Sequence, residues 1–466
     1  MAAKLKNRPV VVNRTEKGTG HSFRARDREF VAQILNLPYR RIEALSQNRR
    51  YRQLALTKAG RFLQSCAMPC SFVPALLSVA MTVCQAASAA PPIVTCVETD
   101  STSGFSRAVA VRPCALTHTA QFLALTETGE ILGKDRADLQ TERVLDRLAA
   151  ALAQANTGLE HVVKLNVCAR DAETVTAVNR VLRQRLRGPV KPAVTFVTGR
   201  LAHPEAVVAI DAIAVTEFAS RSVALLRDDK LPGAAGSHVA VLPKGRHVYI
   251  AGQAEPGTLV EATRKTMASL QATLKFLGLD LAQVGSVKSF IAPMSGVPDA
   301  RAEIVKHFGG EHVPPLVFVE WAMANPIEIE MVVAAGESAG EGTIPIEYLT
   351  PPGMTASPIY SRVVRVNRGD LIYVGNLYGP AGTSGEAQVR DIFAQLMVLV
   401  EKGGSDLRHL AKATYYVSDN DSSTMLNKVR PEFYDPQRPP AASKAMVAGV
   451  GFAGRSIALD MIAVRR

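Results

Sequence analysis

The chain has 466 residues, 47% of them hydrophobic and 21% charged, which excludes a disordered protein and allows several ordinary domains. Its formal net charge of +12 belongs almost wholly to residues 1–65, which hold 15 Lys/Arg against 4 Asp/Glu; the other 401 residues carry 39 against 38. A phosphate-tracking surface needs clustered Lys/Arg on the folded part, so nucleic-acid binding is set aside.

The first feature along the chain is the apolar run FVPALLSVAMTV (72–83), which ends in CQAASAAPP. Lys58 and Arg61 precede it, and Ala87-Ser88-Ala89 supplies the small residues that a signal peptidase accepts. This predicts a leader over 1–90, with a signal peptide or anchor at 66–90, a translation start near Met68 and an over-extended gene start before it. The expected location is periplasmic or secreted. Two rival readings stand beside it: an Arg-rich organellar transit segment, and an uncleaved N-terminal anchor, since roughly 18 apolar residues just span a bilayer. A cytoplasmic protein is the remaining alternative.

After the leader only Cys96, Cys114 and Cys168 remain, enough for one disulfide at most and without a CxxC pair. The nine His are scattered with no HExxH, so no metal is expected. No nucleotide fingerprint and no GxSxG elbow is present, and no cofactor is expected.

Next comes a repeat. FSRAVAV, from Phe105, returns as YSRVVRV, from Tyr360, and a middle copy reads SHVAVLPKGRHVYIAGQ (237–253). Each opening strand is followed by a second apolar run, AQFLALT (120–126), HVYIAGQ or DLIYVGN (370–376), and each pair reads as a β-hairpin. Stretches 139–158, 259–278 and 385–404 then place apolar residues at helical spacing and end at glycine. A strand, a second helix and a proline-led strand pair close each copy, giving β-β-α-β-α-β-β three times. KLPGAAG and the segment from GESAGEG to TPPGMTASP separate the copies, so domains are expected at 91–225, 226–340 and 341–466.

YIAGQ (249–253), GLDLAQVGSVKSFIA (278–292) and HVPPLVFVE…IEIEMVVA (312–334), in this order and repeated, resemble the Rid (YjgF) family of reactive-intermediate deaminases. The resemblance implies an α+β, chorismate-mutase-like fold. Family members form homotrimers with ligand clefts between subunits, so three linked copies imply a monomeric intramolecular pseudo-trimer. It also implies hydrolysis of small imines or enamines, and a small carbonyl or imine compound as the ligand, with no nucleic-acid or membrane partner beyond an N-terminal anchor.

The family's carboxylate-binding arginine, two residues after the proline of the penultimate strand, is replaced by Val194, Leu316 and Ala442. An apolar side chain cannot hold a carboxylate. The last-strand glutamate is matched by Glu328 alone, with Ala209 and Ala458 in the other copies. Lys444, two residues beyond Ala442 and therefore on the same strand face, is a substitute anchor or nucleophile. Glu328 and Lys444 are the candidate catalytic residues. Gly252, Gln253, Tyr360, Ser361, Gly375 and Asn376 are the candidate substrate-binding residues. Arg107 and Arg362 read as solvent-facing strand residues, and Trp321 as core. Three functions stay open: a divergent imine or enamine hydrolase, a non-catalytic ligand-binding or scaffolding protein, and a general stress or holdase role.

Overall fold

A computed structural model describes residues 93–233 and 235–466, and the expected leader lies outside them. Among the described residues no helix is long and apolar enough to cross a membrane.

The same series of elements runs three times along the chain. The first set comprises β1 (Val94–Thr99), β2 (Ser106–Val111), β3 (Ala115–Thr119), α1 (Ala137–Gln154), β4 (Val162–Ala169), α2 (Ala172–Arg185), β5 (Ala193–Thr198) and β6 (Val208–Thr216). The second has β7 (Ala224–Leu226), β8 (Val239–Leu242), β9 (His247–Gln253), α3 (Leu259–Phe276), β10 (Val284–Ile291), α4 (Val297–His307), β11 (Leu316–Glu320) and β12 (Ile327–Ala334). The third has β13 (Ile346–Leu349), β14 (Val363–Val366), β15 (Leu371–Tyr378), α5 (Gly385–Lys402), β16 (Leu410–Val417), α6 (Asn420–Val429), β17 (Ala441–Met446) and β18 (Ile457–Val464). This is a mixed α+β chain.

Side chains accepting from backbone N–H groups start most of the helices: Asp171 for α2, Thr258 for α3, Ser384 for α5 and Asp419 for α6. At Thr258 a full capping box forms with Glu261. Behind the caps one face of each helix is buried. Val144, Leu145, Leu148 and Leu152 of α1 are fully enclosed, each burial contributing roughly 1.5–3 kcal/mol.

The expected hairpins do not form. The two opening strands of a set do not pair with each other; β8 and β9, like β14 and β15, enter different sheets, and β2 and β3 lie apart in one twelve-stranded sheet. Residues 94–111 pair through β2 with β15 of the third set, β8 pairs with β3 of the first, and β14 pairs with β9 of the second. Each four-stranded sheet, such as β17-β16-β18-β15, is therefore extended by a ribbon from another set. The cores follow the exchange: Ala108 and Ala110 complete the third core, Val239 and Val241 the first, and Val363 the second. The additional first strands β1, β7 and β13 were not visible in the sequence, being short or irregularly patterned.

The second strand of the first set is also placed differently. It runs over 115–119 and continues only as a bridge from Phe122 to Ile210, so 120–126 is mostly irregular. The apolar run AQFLALT masked the true strand, ALTHT, whose Thr117 and His118 are buried in the interior rather than exposed.

The strands assemble into a twelve-stranded and a six-stranded sheet, whose inner faces meet in two apolar layers, each drawn from all three sets. Along β6, Ala209 joins one layer, Ile213 and Val215 the other, and Asp211 lies between them; β18 repeats this with Ala458, Ile462 and Asp460. The intervening level is polar. Lys164, Lys288 and Lys412 face Asp211, Glu330 and Asp460 around a cavity of about 80 Å³. Lys164 pairs with Asp460 at 3.1 Å and Lys412 with Glu330 at 2.6 Å, each pair joining two sets. Lys288 instead donates to Tyr416 Oη at 2.7 Å. Burial opposes its charge, but Tyr416, Glu330, Asp211 and Asp460 together raise its pKa.

Candidate functional site

One irregularity recurs in every set and organises the site. Where β9 meets β12, Ile250 pairs with Met331 and Gln253 with Ile329, so an additional residue bulges from β9 opposite Glu330. The same step separates Val374 from Leu377 on β15, opposite Asp460, and in the first set one additional residue likewise lies between His118 and Phe122, where three residues stand opposite Asp211 and Ala212. A bulge re-aims side chains and ends regular pairing. The register sets Gln121, Gly252 and Asn376 at one place, with Gly375 at the place of Ala251. Gly375-Asn376 therefore stands at the place of Ala251-Gly252, one residue before Gly252-Gln253.

At the second bulge the absence of a side chain is required. A β-carbon at Gly252 would stand 2.6 Å from Cγ of Glu328 and closer to its carboxyl. Glu328 occupies the position that Ala209 and Ala458 fill in the other sets, where they belong to an apolar layer. Burial in that layer, reinforced by Glu330, pushes the Glu328 carboxyl up to about 7, while the Ser443 hydroxyl and Lys412 pull the other way. Its Oε1 is buried without a hydrogen-bond partner.

Residues of the third set close this cleft. Ser443 on β17 donates to Glu330 Oε2 at 2.6 Å, beside Glu328. The Ser361 N–H donates to Pro440 O at 3.0 Å and its hydroxyl to Pro439 O at 2.6 Å, which fixes Tyr360–Arg362 against the start of β17. Arg362 O in turn accepts from the N–H of Ala251, next to Gly252. The Arg362 guanidinium lies 4.8 Å from the Tyr360 ring centroid. Gly252, Glu328, Tyr360 and Ser361 are thus gathered in one neighbourhood.

The other candidates lie apart from it. Gln253 is buried and turns toward α3, donating to Thr273 Oγ1 at 2.9 Å. Lys444 shares a face of β17 with Ala442, which packs into the third core. Its Nζ donates to Ser423 Oγ on α6 at 3.1 Å, and burial, with Arg430, lowers its pKa. Among the described residues it makes no hydrogen bond or ion pair with Glu328. Gly375 belongs to the contact between the third and first sets, where a β-carbon would stand 2.8 Å from Lys164 Nζ. The Asn376 side chain lies outside what the structure describes. Trp321 is buried against Phe290. Arg107 is not free in solvent; it pairs with Glu98 at 3.0 Å.

The contact of the first and third sets also holds a cavity of about 710 Å³, lined by Asn179, Tyr378 and Arg455 among others. Arg455 lies over the Tyr378 and Phe452 rings, 5.6 and 5.5 Å from their centroids. Arg455 sits in a loop, and neither periodicity nor motif marks it in the sequence.

With this geometry in place, the comparisons identify the class. The family model described as Endoribonuclease L-PSP matches residues 95–216. A RutC family protein from Synechocystis is 33% identical over 89 residues, 19% of this chain and 68% of that protein. Among solved structures, a Rid-family protein of unknown function from Yersinia pestis is 25% identical, covering 27% of this chain and 99% of its own, with a TM-score of 0.25. A putative endoribonuclease from Thermotoga maritima is 30% identical, covering 26% of this chain and 94% of its own, with a TM-score of 0.21. The chain belongs to the Rid (YjgF) family.

Proposed function

We propose that this protein is a divergent Rid-family hydrolase of small imines or enamines, acting where the second and third sets of elements meet, with Glu328 as the proton-transfer group. One observation carries the reading: the Glu328 carboxyl is held at about 7 by burial, with Oε1 unpaired beside a glycine that leaves it room. A group with this pKa both gives and takes a proton near neutral pH. Protonation of the enamine carbon by Glu328 gives the iminium ion; water adds to the iminium carbon and returns a proton to the carboxylate; the carbinolamine then collapses, its hydroxyl proton passing to nitrogen as the C–N bond breaks, to release ammonia and the carbonyl product. The recurrence of eight elements, a shared bulge and exchanged ribbons supports a wider reading. It is that of three tandem chorismate-mutase-like Rid domains closed into a pseudo-trimer, with a single one of the three equivalent positions keeping its carboxylate. Export through the 66–90 segment belongs to the same proposal, and a mature N-terminus near Ala90 on sequencing the purified protein would support it.

The test is pyruvate formation from 2-aminoacrylate generated in situ. The expected result is acceleration over buffer that falls about 10²–10⁴-fold in Glu328→Gln, the usual contribution of a positioned acid or base. Turnover unchanged in Glu328→Gln would exclude this cleft. A second reading, a ligand-binding protein without turnover, is favoured by Val194, Leu316 and Ala442, all at most 9% exposed, where the family keeps its arginine. No acceleration with any preparation would decide for it.

A further inference from the structure

The Glu328 carboxyl does not stand alone on its strand. Glu330, two residues on, shares its face of β12. Glu330 Oε2 accepts from Lys412 Nζ on β16 and from the Ser443 hydroxyl on β17, each at 2.6 Å. Glu328 Oε1 is buried without a partner. Ser443, itself 3% exposed, acts on both groups, and its hydroxyl draws the Glu328 carboxyl down as well. It therefore stands between the two carboxyls. A hydroxyl has one proton to donate, so it serves one of them at a time.

The other groups around the pair are already committed. Lys288, opposite Glu330 on β10, donates to Tyr416 Oη. Arg362, just before β14, lies over the Tyr360 ring, and its Nε donates to Thr355 O at 3.2 Å. Phe290 of β10, opposite Glu328, and Gly252 of β9 bring no charge. Two carboxylates on one strand face repel when both are ionised. Lys412 offsets the charge of Glu330, which leaves the Ser443 hydroxyl as a donor for Glu328. Strand register puts Thr195 and Val317 at the place of Ser443 in the other sets. Thr195 Oγ1 there accepts from Lys164 Nζ at 2.6 Å, and Val317 has no hydroxyl, in keeping with the alanines at 209 and 458.

We propose that Ser443 is a positioning residue for Glu328: its hydroxyl donates to Glu330 while the Glu328 carboxyl carries a proton, and turns to Glu328 once that proton has left, so that the ionised form finds a donor in an otherwise apolar layer. The catalytic meaning of this switch rests on the hydrolase reading above.

Carboxyl ¹³C NMR of the full chain, labelled at glutamate Cδ, tests it, with the Glu328 signal assigned by its loss in Glu328→Gln. The wild-type signal should titrate with a midpoint of about 7. In Ser443→Ala the midpoint should rise by about one to two pH units, since the ionised form loses a charge-assisted hydrogen bond and the protonated form does not. Ser443→Thr, the residue that the first set carries at 195, keeps a hydroxyl and should return the midpoint to the wild-type value. Melting temperatures check that both variants fold. An unchanged midpoint in folded Ser443→Ala, or an equal rise in folded Ser443→Thr, would overturn the proposal. In the pyruvate assay the alkaline limb of the pH profile should move up with the NMR midpoint, a displacement that structural damage alone does not produce. A wild-type protein without turnover would sink the hydrolase reading, while the NMR titration would still decide what Ser443 does.

Discussion

Lys412→Met is expected to destabilise the protein by about 3–5 kcal/mol, the cost of leaving a buried carboxylate without its partner. Lys412 and Glu330 are 6% and 5% exposed, and their Nζ and Oε2 atoms stand 2.6 Å apart. Burial raises the Glu330 pKa, but Lys412, Lys288 and the Ser443 hydroxyl outweigh it, so the group is depressed below 4.5. A depressed carboxylate contributes stability above its unfolded pKa and loses it as pH falls through the folded value. The penalty measured by urea unfolding should therefore be full at pH 7 and shrink at acid pH, where Glu330 in the variant takes up a proton. Lys412→Met with Glu330→Leu should recover most of the loss, because an apolar pair of similar volume removes both desolvation penalties. If the double variant is as unstable as the single one, the pair contributes geometry that apolar packing cannot replace. A single variant as stable as wild type would mean that Lys288 or water compensates Glu330.

Much of this architecture was legible in the sequence, for a physical reason. Helices expected at 259–278 and 385–404 begin where predicted and end two residues early, at Phe276 and Lys402, because amphipathic spacing and caps are local signals. Strand partners are not local. The run SHVAVLPKGRHVYIAGQ looks like a hairpin because its connection is short, yet β8 and β9 go to separate sheets, and nothing within seventeen residues reveals that. Lys164, Lys288 and Lys412 were likewise invisible as a group. Each reads alone as a solvated strand lysine, and they converge only when three distant strands share one interior. Glu328 was found through the resemblance, but its raised pKa comes from the apolar layer around it, which is a tertiary fact.

The bulge positions supply the second strong expectation. Gly252 faces Glu328, whereas Gln121 and Asn376 take the same register place in sets where the neighbouring strand carries Ala209 and Ala458. In the first set the side chain is held between two buried residues: Gln121 Nε2 donates to Cys168 Sγ at 3.5 Å, and its Oε1 accepts the Phe318 N–H at 3.4 Å. A large group on one strand thus goes with a small one on the other, as a fixed volume requires. Gly252→Ala should cost about 1–3 kcal/mol by overpacking, since the new β-carbon meets the Glu328 side chain and its backbone has little freedom in a bulge. Glu328→Ala alone removes the obstacle and the buried carboxyl together. In that background Gly252→Asn should be tolerated, reproducing the pairing of the third set, so the two substitutions should be far from additive. Equal penalties for Gly252→Ala with and without Glu328 would place the strain in the backbone rather than at the carboxyl. If the clash is as drawn, the interaction term in this double-mutant cycle should approach the whole cost of the single substitution.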